Sequence, residues 1–162
     1  MAKRKVFISY HHGGEQSVVD SFRKKYSEDY DVFTDNSIDR AANSTDVDYL
    51  HRVCREAIDG TSVSIVIIGK QTGCRKFVDW EIRYTLECKH GLLAISRPGL
   101  ADSDACLPER LKDNLKSGSG YAKWYNYPTT ASGLKAMIDE AWLADSSKIS
   151  NDRDKKQRNS SC

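Results

Sequence analysis

Between Thr61 and Gly69 the chain carries Val63, Ile65, Val66, Ile67 and Ile68, with only Ser64 interposed. A strand that is apolar at consecutive positions has no solvated face. It belongs near the middle of a parallel sheet covered by helices on both sides. The rest of the sequence is read around that strand.

Four further runs have strand character: Lys5 to Tyr10, Asp31 to Thr34, Leu92 to Ile95 and Ala122 to Tyr127. Helical periodicity separates them. Val18, Val19, Phe22 and Tyr26 share one face of a helix from about Gln16 to Tyr26. A second helix is expected from Asp46 to Asp59, with Gly60 placed for a left-handed C-cap. A third runs from Arg75 to His90, stopped by Gly91, and a last one from Ser132 to Ala144. A short helix is expected at Pro108 to Leu115 within the irregular connection from Arg97 to Gly120. Five alternations of strand and helix predict a three-layer, flavodoxin-like α/β domain with a mainly parallel five-stranded sheet. Its 162 residues fit one domain, here residues 1–145. Residues 146–162 read as a polar basic tail, disordered and dispensable for folding, with Ile149 as its only large apolar residue.

The tail holds five basic and two acidic side chains, a net +3, so the remaining residues sum to −1 against a total of +2. A body so near neutrality does not present the clustered cations of a nucleic-acid-binding face. No apolar stretch approaches the roughly 20 residues of a membrane span, and no signal peptide is visible. The five cysteines, at 54, 74, 88, 106 and 162, form no CxxC pair. Reduced thiols in a cytoplasmic protein, with neither a zinc knuckle nor a disulfide framework, are the expectation.

In an open parallel sheet, ligands bind at the carboxyl ends of the strands. The first strand ends in Tyr10-His11-His12 and the third in Gly69-Lys70-Gln71, so the acidic residues of a phosphorylated receiver domain are missing. No GxGxxG or GxxxxGK[ST] motif occurs, which leaves glycine-rich phosphate cradles unsupported. His11 and His12 have no metal-ligand spacing to His51 or His90, and no metal is expected.

The helix beginning near Cys74 is the informative segment. Val78, Ile82, Thr85 and Leu86 form a stripe for the sheet, Phe77, Trp80, Tyr84 and Cys88 a flank beside it, and Glu81 lies on their border. A solvated helical Glu usually has a basic residue three or four positions away. Glu81 has Phe77, Val78, Tyr84 and Thr85. A carboxylate bordered by aromatics beside a strand-end crevice is a functional candidate; the competing reading is a Glu paired across space or favoured by the helix N-terminus.

Two stretches carry a family resemblance. Lys5 to His11 (KVFISYH) resembles the first motif of TIR domains. Ile68-Gly-x-x-Thr72-x-x-Arg75-x-Phe77-Val-x-Trp80-Glu81-Ile82 is similar to the third-strand and helix motif of bacterial TIR-like proteins, above all the TIR-like subunit of the Thoeris antiphage defence system. The likeness covers about residues 3 to 95. Two departures stand out: the loop from Asp35 to Ser44 lacks the Arg-Asp-Pro-Gly motif of animal adaptor TIR domains, and their C-terminal Phe-Trp box is absent.

The resemblance implies an NAD+-cleaving enzyme of glycohydrolase or ADP-ribosyl cyclase type, with Glu81 catalytic. Ser9, Tyr10, His11, Asp35, Thr72, Phe77 and Trp80 are then substrate-contact candidates, although the aromatics fit a core equally well. NAD+ would be substrate, with no further cofactor. The product, a cyclic or related ADP-ribose, would activate a separate effector protein; a homo-oligomer stays open. One carboxylate suffices for such chemistry. Nicotinamide leaves as a neutral molecule from a cationic ring, so no acid must protonate it, and a fixed anion stabilises the developing ribose oxocarbenium. A cyclising enzyme must in addition exclude water and present an internal nucleophile. Two other functions compete: a non-catalytic interaction module, in which Glu81 is dispensable, and a nucleoside or nucleotide N-glycosyl transferase, in which a Glu carries a ribosyl adduct.

Overall fold

The structure, a computed structural model, describes residues 3–34 and 47–162. Five strands form one sheet: β1 (Arg4–Ser9), β2 (Tyr30–Thr34), β3 (Val63–Ile68), β4 (Gly91–Ser96) and β5 (Lys123–Tyr125). Their order is β2-β1-β3-β4-β5, and every neighbouring pair is parallel. β3 is central and fully buried, as its unbroken apolar run requires.

Among the described residues five helices flank the sheet: α1 (His12–Tyr26), α2 (Val47–Asp59), α3 (Lys76–Glu87), the one-turn α4 (Glu109–Lys112) and α5 (Ala131–Trp142). Side-chain alternation along the strands divides the core into two layers. Val6, Ile8 and Tyr10 of the first strand segment pack with Val19, Phe22 and Tyr26 of α1 and with Leu134 and Ile138 of α5. On the opposite face Val66, Ile68, Leu92 and Ala94 meet Val78, Ile82 and Leu86 of α3. Phe7 meets Leu50, Val53 and Ile58 of α2 together with Trp80 and Tyr84. The expected three-layer, flavodoxin-like fold is therefore present. Among the described residues no helix is long and apolar enough to cross a membrane.

Helix ends differ from expectation in two places. Gly60 is not left-handed; instead Thr61 closes α2 by directing both its N–H (2.9 Å) and its hydroxyl (2.8 Å) to the Ile58 carbonyl. After α3 the left-handed residue is Lys89, at φ 56°. Gly91 serves packing: a Cβ there would stand 2.7 Å from the Ala141 carbonyl oxygen of α5.

The larger corrections concern the tail and the cysteines. The segment after Ser146 is not a solvated terminus; it runs back along α3 as a strap. Asn151 Nδ2 donates to the Arg83 carbonyl, Trp80 Nε1 to the Lys156 carbonyl (2.7 Å), and the Ser160 N–H to the Cys74 carbonyl (2.9 Å). Beneath the strap lies Arg110, with no exposed surface. Its guanidinium gives two hydrogen bonds to Asp79, two to the carbonyls of Arg153 and Asp154, and one to Asn151. Asp79 also accepts from the Lys156 N–H at 2.7 Å. A buried charge needs such a full set of partners, and the tail supplies three of Arg110's. The strap ends in a Cys106–Cys162 disulfide, contrary to the expectation of reduced thiols throughout. The bridge closes a sequence separation of 56 residues, so no short spacing announces it.

Candidate active site

The sheet order places its topological switch between β1 and β3, the two strands whose crossovers leave toward opposite faces. α1 returns from β1 over one face, and α3 departs from β3 over the other. Ser9 ends β1 opposite Val66 of β3. Alternation turns the Ser9 side chain toward the α3 layer, the side that holds Phe7.

There it meets Glu81. Ser9 Oγ donates to Glu81 Oε1 at 2.9 Å, and both residues are only 1% exposed. The helix bearing Glu81 is seated by its apolar stripe on the sheet. It is pinned further by Thr85, whose hydroxyl donates to the Glu81 carbonyl and shares a 2.7 Å hydrogen bond with Ser64 of β3. Glu81 is thus a carboxyl group buried at the carboxyl end of the first strand and oriented by a hydroxyl beside the switch point. Glu81 is buried rather than partly exposed, and Ser9 is a partner across space, as the competing reading allowed.

A second buried carboxylate, absent from the sequence reading, lies across the sheet edge. Glu15 of α1 is also 1% exposed. It packs directly over Gly69, where a Cβ would fall 1.8 Å from its Oε1. Arg97, just beyond β4, donates to Glu15 Oε1 at 3.3 Å. Burial pushes the Glu15 carboxyl above its ordinary value, and the Arg97 and Arg75 charges act in the opposite direction. Arg97 remains partly exposed, with 28% of its side chain accessible.

The remaining candidates fall into three groups. Tyr10 and His11 stand at the same strand end as Ser9. Tyr10 is buried, donates to Gln16 Oε1 at 2.8 Å and stacks on His12 with ring centroids 4.2 Å apart. His11 covers Gly13 and Gly14 with its ring. Its pKa is lowered by burial, then by the Arg75 and His12 charges, so it favours the neutral, hydrogen-bonding form. Thr72, Phe77 and Trp80 are held by the protein itself. Thr72 Oγ1 accepts from the Gly69 N–H at 2.7 Å and closes the turn after β3. Phe77 meets Trp80 edge-to-face, and Trp80 packs on His51 and binds the strap. Asp35 lies outside the described residues. A cavity of about 940 Å³ beside β5, lined by Leu115, Ala122, Trp124 and Tyr125 among others, contains none of these side chains. Ser9, Glu81, Glu15 and Arg97 lie at or just beyond the carboxyl ends of the strands, where open parallel sheets bind ligands.

A parallel β2-β1-β3-β4-β5 sheet with helices on both faces is a flavodoxin-like α/β domain, consistent with a TIR-like fold. The family model of the Thoeris protein ThsB, TIR-like domain, matches residues 7–102, more than half of the chain, and the chain belongs to that family. No curated protein matches the sequence significantly.

Proposed function

We propose that the protein is an NAD+-cleaving TIR-like enzyme of antiphage defence, breaking the nicotinamide–ribose bond and releasing a cyclic or related ADP-ribose that activates a separate effector. The observation that carries this reading is Glu81, buried at the carboxyl end of β1 and oriented by Ser9. A carboxylate so held keeps its charge in place without solvent to reorganise, which is the condition for electrostatic stabilisation of an oxocarbenium. Arg97 and Arg75, near the same edge, supply positive charge suited to the pyrophosphate of a dinucleotide. Membership of the Thoeris family supports the defence role.

The test is incubation of the purified chain with NAD+, with products separated by chromatography and identified by mass. The Glu81→Gln variant keeps the side-chain shape, and its amide oxygen still accepts from Ser9. It should lose turnover by about 10²–10³-fold or more and remain folded. Unchanged turnover in a folded Glu81→Gln protein would refute the assignment. An intact-mass shift for a ribosyl adduct on Glu81 would select the N-glycosyl transferase instead, and no turnover by the parent protein would favour the interaction module.

A further inference from the structure

Three of the five cysteines converge at one point beside the loop that follows β3. The Sγ atoms of Cys74, Cys106 and Cys162 all lie within 4.8 Å of one another. Cys54 lies in the α2 cluster, and Cys88 contacts Asp59.

The convergence is built. Cys74 and Cys106 sit on two loops clamped together by their backbones: the Gly73 N–H donates to the Cys106 carbonyl at 2.8 Å, and the Cys106 N–H to the Gly69 carbonyl at 3.1 Å. Gly73 allows that approach, since a Cβ there would be 2.5 Å from the Leu107 carbonyl oxygen. The strap delivers the third sulfur. The Ser160 N–H binds the Cys74 carbonyl, and Asn159 Oδ1 accepts from the Lys76 N–H at 2.9 Å. A cavity of about 670 Å³ opens beside the sulfurs, lined also by Lys70, Lys112 and Lys156.

We infer that Cys74, Cys106 and Cys162 form a binding site for a thiophilic divalent cation such as Zn2+, of which the Cys106–Cys162 disulfide is the oxidised, metal-free state. Tetrahedral Zn–S bonds of about 2.3 Å place thiolate sulfurs roughly 3.8 Å apart. On reduction the bonded pair separates to non-bonded distance, and Cys74, within 4.8 Å of both sulfurs, closes by no more than about an ångström. Three thiolates select a soft cation over Mg2+ or Ca2+, and water in the adjoining cavity completes a fourth position. The charge balance is favourable: Zn2+ with three thiolates is an anion of charge −1, and the cavity lining, with Lys70, Lys112 and Lys156 against Asp104 and Glu109, sums to +1. The redox balance is explicit. A cellular dithiol gives two electrons and two protons to the disulfide and becomes a disulfide itself, and the three thiols then release three protons as the cation binds. The disulfide fastens the strap to the Cys106 loop, and the cation would fasten it also to Cys74, two residues before α3, the helix that carries Glu81.

The experiment uses the full chain, reduced by a phosphine and stripped of metal, titrated with Cd2+ and back-titrated with Zn2+. The parent protein should bind one equivalent, with an ultraviolet thiolate-to-cadmium band that Zn2+ abolishes. Cys74→Ser leaves the disulfide pair intact, yet it should weaken binding by more than the roughly 100-fold typical of losing an outer-sphere partner. Cys106→Ser, at a half-exposed position, provides the same test should Cys74→Ser misfold. Cys54→Ser and Cys88→Ser should bind like the parent. No band at one equivalent, parent-like affinity in both folded cluster variants, or equal loss in the Cys54 or Cys88 variant would overturn the site.

Discussion

Arg110→Met tests whether the strap is part of the fold. The substitution keeps most of the side-chain volume and removes a guanidinium that makes five hydrogen bonds within the protein. It leaves Asp79, only 7% exposed, with the Lys156 N–H as its one remaining donor in this cluster. Removing one partner of a buried ion pair costs about 3–5 kcal/mol, because the other charge stays desolvated. In a domain of this length each kcal/mol lowers the melting temperature by roughly 2–4 °C, so the drop should be roughly 6–20 °C. The strap carbonyls of Arg153 and Asp154 lose their donor at the same time. Amide exchange and limited proteolysis should therefore show residues 150–162 opening in Arg110→Met before the sheet unfolds. The measurement is thermal unfolding under reducing and non-reducing conditions, since the Cys106–Cys162 bridge limits how far the strap can leave. A melting temperature within about 3 °C of the parent under reducing conditions, with the strap still protected, would refute the reasoning.

Ser9→Ala should reduce NAD+ turnover by up to about 100-fold through misplacement of Glu81, with KM nearly unchanged, as steady-state kinetics would show. Gly69→Ala should destabilise the protein by roughly 1–3 kcal/mol, since its Cβ overlaps Glu15; urea unfolding should show partial recovery when Glu15→Ala is added. Burial is the leading cause of lowered pKa values at His11, His51 and His90. The unfolded chain then protonates first, near the ordinary value of 6.5, so stability is full above that pH and declines as pH falls below it. A melting temperature that holds steady from pH 7.5 down to 5 would contradict this.

The fold was legible because parallel sheets write themselves as apolar runs, and β3 is the plainest case. Glu81 was legible for a negative reason: a buried helical Glu needs no basic neighbour at i±3 or i±4. Glu15 was not legible. In the first turn of α1 an acid looks like an ordinary partner of the helix dipole. Its burial depends on the missing side chain of Gly69, just past β3, and on Arg97, just past β4. The strap was missed because it docks almost without apolar residues. Its backbone N–H and C=O groups answer Asp79, Trp80 and Arg110, and hydrogen bonds of that kind leave no periodicity in a sequence. Composition flagged residues 146–162 as polar, which is true of their exposed atoms and silent about their carbonyls.

Consecutive helical residues project about 100° apart, so Asp79, Trp80 and Glu81 face three directions. Asp79 and Trp80 are taken by the strap and Arg110, and Glu81 by Ser9. Val78, Ile82 and Leu86 hold α3 to the sheet, but apolar packing is not directional and would tolerate a modest rotation of the helix. The polar contacts would not. Turning α3 far enough to move Glu81 off Ser9 would also draw Asp79 off Arg110 and the Trp80 N–H off the Lys156 carbonyl. A buried ion pair is an inefficient way to gain stability, since well-packed apolar residues often do as well. Its contribution here is to fix the rotational phase of the helix that presents the carboxylate. Replacing Arg110 and Asp79 together by leucine should then cost less stability than Arg110→Met alone and still lower turnover, and that separation of stability from activity is what an ion pair kept only for stability would not produce.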